Sequence, residues 1–184
     1  MTHPAFLFHG SAAEHPDGRI LLGRRALRGF DAVGPMSADI EDILEAQRPH
    51  DCIRRVEAVY LSENPDDLDA SGAYCDYISV VETPQGVTRH DIAWMTFMES
   101  SEGDDAWQAL CAKRYWEGTS FPSHPKELAE MGFPNISKRD MPASVIEWLS
   151  PPVAVVCCFD GEENMNTGEQ MIAAVKEMYP TPRP

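Results

Sequence analysis

The sequence predicts an α+β domain built on mostly antiparallel sheets. Apolar, β-branched runs are interspersed with amphipathic helical patterns at irregular intervals, which disfavours the strict alternation of a doubly wound fold. Hairpin signals such as Pro84-Gln85-Gly86 follow strand-like runs. No G-x-G-x-x-G follows a strand, so a Rossmann site is not expected. The 184 residues, 43% hydrophobic with a mean hydropathy of −0.34, suffice for a single domain with a sizeable core, taken as residues 1–184.

Residues 4–9 read as a strand, and residues 10–36, rich in Gly and Arg, as loop with a short helix. Ser37 is placed to cap a helix through ADIEDILEAQ. Asp39 and Glu41 fall in its first turn, where the helix dipole favours negative charge, and Ile40, Ile43 and Leu44 form its apolar stripe. The run Arg48-Pro49-His50-Asp51 ends it. Residues 56–62 read as a strand, after which Pro65 stands at a first helical position. Residues 77–83 form a β-branched strand, and 90–98 are either its partner or the lead into a helix. Asp104 or Asp105 caps a helix through AWQALCAKRYW that puts Trp107, Leu110, Cys111 and Tyr115 on one face and stops before Gly118. A short helix at 126–131 interrupts the proline-punctuated stretch 118–143. SVIEWL and VAVVCCF read as strands separated by Ser150-Pro151-Pro152. The last helix opens at Thr167 with Gln170 completing a capping box, and its stripe of Met171, Ala174, Val175 and Met178 is core packing.

Composition narrows the function. A net charge of −15 argues against nucleic-acid binding, which needs a basic face to meet phosphates. The one basic cluster, Arg24, Arg25 and Arg28 with Arg19 nearby, is either a solvated turn or a local seat for a phosphate or partner. Five cysteines, two of them adjacent at Cys157 and Cys158, fit buried free thiols in a reducing cytosol better than a disulfide framework, so a cytoplasmic protein is expected. The apolar run at 153–159 has seven residues, far short of a membrane span, and no membrane association is expected. The N-terminus lacks the basic segment of a signal peptide. The six histidines are scattered without metal-ligand spacing, and H-E-x-x-H, C-x-x-C, Walker A and G-x-S-x-G are missing, so no metal is expected.

Three stretches carry chemistry. The strand AFLF runs into His9, Gly10 and Ser11: two ring nitrogens at a strand end, then a residue that lets another backbone or a ligand approach. Tyr60 and Ser62 end the next strand, and an acidic turn leads to Ala70-Ser71-Gly72 and Tyr74. The two tyrosines are either core residues or the walls of a slot for a flat heteroaromatic ring. Glu147 stands inside an apolar segment, where alternation puts Val145, Glu147 and Leu149 on one face and Ile146 and Trp148 on the other. A carboxylate there either faces water from an edge strand or needs a partner or a task.

In this order, FHGS, VYLS…ASGAY and SVIEWL resemble the three signature segments of the ADP-ribosyltransferases, most closely the His-Tyr-Glu branch that includes diphtheria toxin and the poly-ADP-ribose polymerases. The likeness spans residues 6 to 158. EWLSPPVAVV is also similar to the Arg-Ser-Glu branch, and Glu117 in YWEG is a second candidate for the late glutamate. The resemblance implies a split β-sandwich of mostly antiparallel strands flanked by helices. It implies NAD⁺ as substrate and a cytoplasmic enzyme, or one of toxin, phage or effector type delivered into a host cytoplasm.

By carry-over, His9 binds the adenosine ribose and the Gly10 backbone grips the nicotinamide carboxamide, with Ser11 beside them. Tyr74 and Tyr60 stack on nicotinamide, Ser62 braces the site near Glu147, and Glu147 is catalytic, with Glu117 as the alternative. Arginine-modifying members carry an acidic residue two positions before the glutamate; Val145 stands there, so another acceptor, a protein by default, is expected. The expected function is that of a mono-ADP-ribosyltransferase. The alternatives are an NAD⁺ glycohydrolase on the same site, or a non-catalytic protein-binding domain on this scaffold.

Overall fold

The computed structural model describes residues 4–23, 38–69, 75–101, 104–134, 136–161 and 168–180. Two sheets carry the chain, and every ladder in them is antiparallel. The first contains β1 (Phe6–Ser11), β2 (Ile20–Leu21), β4 (Tyr77–Glu82) and β7 (Val153–Asp160), in the order β1-β4-β7-β2. The second contains β3 (Val59–Leu61), β5 (Thr88–Asp91) and β6 (Ile146–Ser150), in the order β3-β6-β5. Among the described residues one backbone pair joins the two sheets, Phe8 and Ser62, which exchange both hydrogen bonds at 2.8 Å.

Period-two alternation sorts the strand side chains into layers. Leu7, Leu21, Val59, Leu61, Val81, Trp148 and Val155 from both sheets share one core. On the other face of the second sheet, Leu149 packs against α1 (Ala38–Gln47), α2 (Ala93–Glu99) and α3 (Asp105–Trp116) through Leu44, Trp94, Phe97 and Tyr115. On the far face of the first sheet, Phe6, Phe8, Ile78 and Val80 meet Met171 and Val175 of α5 (Gly168–Met178). The short α4 (Pro125–Glu130) contributes Leu128 to the helical core. The α+β class with antiparallel sheets is therefore the observed one.

Several elements differ from the sequence expectation for local reasons. β1 runs on through Ser11 because β4 pairs with it along its whole length. β3 is only three residues, since 55–57 form a 3₁₀ turn. The stretch 90–98 splits between two elements: His90 and Asp91 end β5, and α2 follows. Five of the seven α2 side chains are buried and only Thr96 and Glu99, three apart, face outward, so two residues are all that mark its polar side. Met178 is 50% exposed and lies outside the core stripe assigned to it. The expected caps Ser37 and Thr167 and the cluster Arg24, Arg25 and Arg28 lie outside the described residues.

Asp91 pins the junction of β5 and α2. It is fully buried and accepts from the Ala93 N–H at 3.0 Å, the Phe121 N–H at 2.7 Å, the Val145 N–H at 3.2 Å and the Ser144 hydroxyl. Gly118, with φ +66°, turns the chain after α3 where a Cβ would come within 2.7 Å of the Arg89 carbonyl oxygen. Asp91→Asn is expected to lower stability by about 3 kcal/mol, because an amide cannot accept on both ends. Gly118→Ala is expected to lower it by about 2 kcal/mol through left-handed strain and backbone contact. Urea unfolding monitored by tryptophan fluorescence measures both.

Candidate functional site at the sheet junction

The seam between the sheets follows from one substitution in the hydrogen-bond ladder. Phe8 points its N–H and C=O at β3, so by alternation Gly10 points both of its groups at the same edge. Continued antiparallel pairing would set Gly10 opposite Tyr60. Instead the His9 imidazole takes the Tyr60 carbonyl, Nδ1 to O at 2.9 Å. A carbonyl only accepts, so Nδ1 carries the proton and Nε2 is left as an acceptor. Pairing stops there, and among the described residues nothing on that edge bonds the Gly10 N–H or C=O. Burial lowers the His9 pKa, the Tyr60 carbonyl partly offsets this, and His15 adds to the lowering, its ring centroid 6.1 Å away. Ser11 turns its hydroxyl to the Ala13 carbonyl at 2.6 Å.

Glu147 has a partner, and it is buried too. Arg55, in the 3₁₀ turn before β3, is 6% exposed and Glu147 4%. The Arg55 Nη1 donates to Glu147 Oε1 and to the Tyr115 hydroxyl, and Tyr115 in turn donates to the same Oε1 at 2.6 Å. The Arg55 Nε reaches both carboxylate oxygens of Glu41 on α1, at 3.1 and 3.3 Å. Its guanidinium lies between the rings of Tyr60 and Tyr115, 5.1 and 5.2 Å from their centroids. Burial alone would lower the Arg55 pKa. Glu147, with Tyr115, Tyr60 and Glu41, outweighs it and holds the group well above its ordinary value. Burial pushes the Tyr115 phenol well up, so it stays protonated and donates.

Among the described residues Glu147 Oε2 takes no hydrogen bond, and the side chain keeps 6% exposure.

The sequence-predicted residues fall into three groups. His9, Gly10, Tyr60, Ser62 and Glu147 come together on the consecutive strands β1, β3 and β6. They do not all share a face. His9 has the parity of Leu7, whereas Tyr60 and Glu147 have that of Leu149, on the helical side. The Ser62 hydroxyl donates to the Asn64 carbonyl at 2.8 Å and accepts from the Asn64 N–H at 3.1 Å. Glu117 is a surface residue at the end of α3, paired with Arg114 at 3.0 Å and Lys113 at 3.8 Å. Tyr74 lies outside the described residues. A cavity of about 90 Å³ lined by Glu41, Asp42, Glu45, Arg54, Arg55 and Val56 opens beside the network, too small for a nicotinamide ribose.

Sequence reasoning missed Arg55, Glu41 and His90 as members of this site. The available signal was Glu147 itself, since a buried carboxylate calls for a cation. Nothing in the sequence says which of 15 lysines and arginines supplies it. His90 sits opposite Glu147 in the β5–β6 ladder and stacks on Tyr115, with centroids 4.5 Å apart and planes 18° apart.

His90 is also 1% exposed. Its Nδ1–H donates to the Tyr115 carbonyl and its Nε2 accepts from the Thr88 hydroxyl, both at 2.8 Å. Burial lowers its pKa from 6.5, against smaller raising contributions from the Tyr115 carbonyl and Glu147. His9 and His15 are shifted the same way by burial. A lowered folded-state pKa means that protons bind the unfolded chain more tightly. The stability that these neutral histidines contribute is therefore present above about pH 6.5 and is lost as the pH drops below it. Urea midpoints measured across this range should decline toward acid, and less steeply in His90→Asn, whose amide can still donate to the Tyr115 carbonyl. Comparison with protein-family models, with curated proteins and with solved structures finds no match to this chain.

Proposed function

We propose that the seam binds NAD⁺ and that the chain is a mono-ADP-ribosyltransferase, which cleaves the nicotinamide–ribose bond and passes ADP-ribose to a protein acceptor. The observation that carries this reading is the edge of Gly10 beside His9, which takes no partner among the described residues. A carboxamide presents one acceptor and two donors, and a backbone N–H and C=O aimed the same way form its complement. That is the role the resemblance to the ADP-ribosyltransferases assigns to Gly10. The order β1-β3-β6, which brings together motifs far apart in sequence, and the two antiparallel sheets flanked by helices also support the reading.

The chemistry asks little of the protein. Nicotinamide leaves as a neutral ring from a cationic precursor, so no general acid is required. The transition state at C1′ resembles an oxocarbenium ion, and a nearby carboxylate stabilises the developing charge while holding the ribose 2′-hydroxyl. Glu147 Oε2 is the oxygen for that role, since Oε1 is occupied by Arg55 and Tyr115. An acceptor nucleophile then forms the new bond to C1′ and loses its proton to solvent. Val145, two positions before Glu147, offers no carboxylate to activate an arginine acceptor.

A second reading, a non-catalytic binding domain, draws support from the burial of Glu147 under Arg55 and from the opposite parity of His9. Nicotinamide release from NAD⁺ separates the two, with wild type beside Glu147→Gln. Loss of about 10²–10³ in rate is expected for the variant, with NAD⁺ binding by calorimetry retained. No release and no binding by the wild type would leave the non-catalytic reading standing. NAD⁺ labelled in its adenylate half then distinguishes covalent transfer from simple hydrolysis.

A further inference from the structure

Resting on the NAD⁺-cleaving reading of Glu147, we infer that Arg55 and Tyr115 are positioning residues: they grip one oxygen of that carboxylate so that the other is held toward the ribose. Both donors converge on Oε1. Two donors on one oxygen fix the rotation of the carboxylate, which a single donor does not. Each donor is itself immobilised. Arg55 is held at Nε by both oxygens of Glu41 and between two aromatic rings. Tyr115 is fully buried, its ring stacked on His90 and its backbone carbonyl bonded to the same histidine. The hydrogen-bond direction is set throughout. The guanidinium only donates, the phenol accepts from it and donates onward, and Glu147 only accepts. Helices α1 and α3 thus orient a side chain that β6 carries.

Neither residue touches NAD⁺ in this arrangement, so their loss acts on the chemical step and not on binding. Tyr115→Phe removes one oxygen and leaves the ring stack in place. It should lower kcat for nicotinamide release about ten-fold with KM for NAD⁺ unchanged, the pattern of an interaction expressed in the transition state. Arg55→Lys, which keeps the charge but cannot serve Glu41 and Glu147 together, should fall further. In the Glu147→Gln background, Tyr115→Phe should add almost nothing, because a residue that acts through Glu147 has no separate effect once the carboxylate is gone.

A merely structural role for Tyr115 would lower the melting temperature and the active fraction equally in both backgrounds. Wild-type kcat in Tyr115→Phe, or additive losses in the double variant, would overturn the inference while Glu147→Gln still confirmed the underlying reading. Release that survives in Glu147→Gln, or none from the wild type, would sink both. Because Tyr115→Phe loses a single hydroxyl, the question stays decidable even if Arg55→Lys does not fold.

Discussion

The ion pair between Arg55 and Glu147 is the interaction on which the helical half of the structure depends. Two charges at 6% and 4% exposure lose most of their hydration, and such a pair persists only when its hydrogen bonds are nearly complete. Here the guanidinium meets Glu41 from α1, Glu147 from β6 and Tyr115 from α3, with the Tyr60 ring of β3 across its face. Four elements are thereby brought to one point. Removing one partner would leave a buried charge unmatched, an effect of about 3–5 kcal/mol in general. The network thus has a double character: it joins α1 and α3 to the second sheet, and it sets the orientation of the Glu147 carboxylate within the apolar core.

The seam is a second constraint, and it is made by subtraction. An uninterrupted β1–β3 ladder would have merged the two sheets into one continuous surface. His9 prevents that by taking the carbonyl that the next ladder bond would use. Among the described residues backbone pairing between the sheets stops at Phe8 and Ser62, and the Gly10 N–H and C=O take no partner on that edge. Unpaired backbone polar groups are costly when buried, and Gly10 is buried. Such an edge is therefore either a liability or a binding surface, and this tension is what makes the junction the candidate site.

Below both features lies ordinary packing. The aromatic side chains of Trp94, Phe97, Phe121 and Phe133 pack edge to face under the second sheet and give the helical layer a rigid floor. Asp91 ties that floor to β5 and to the chain entering β6, so the start of the strand bearing Glu147 is anchored by a charge as well as by its ladder. All five cysteines are free, and Cys111 is wholly buried, its thiol pushed up to about 12 chiefly by that burial, which makes it an inert apolar side chain.

What the sequence by itself determined was local. Alternation in SVIEWL put Glu147 and Leu149 on one face and Trp148 on the other, because side-chain direction in a strand has a period of two whatever the strand packs against. Asp104 at the start of α3 and Gly118 after its end were legible for the same reason, since caps act within a turn. The strand end at His9 and Gly10 and the buried carboxylate at Glu147 could be singled out as residues out of keeping with their neighbours. Tertiary structure alone decided which groups answer them. Arg55 is 92 residues from Glu147 and Tyr115 is 32, and no local pattern encodes which cation closes a given pair. The parity that sets His9 opposite Glu147 depends on a single backbone pair between Phe8 and Ser62. The sequence left 90–98 open between strand and helix because α2 is seven residues long and buries five of them, so that only Thr96 and Glu99, three apart, mark its polar side.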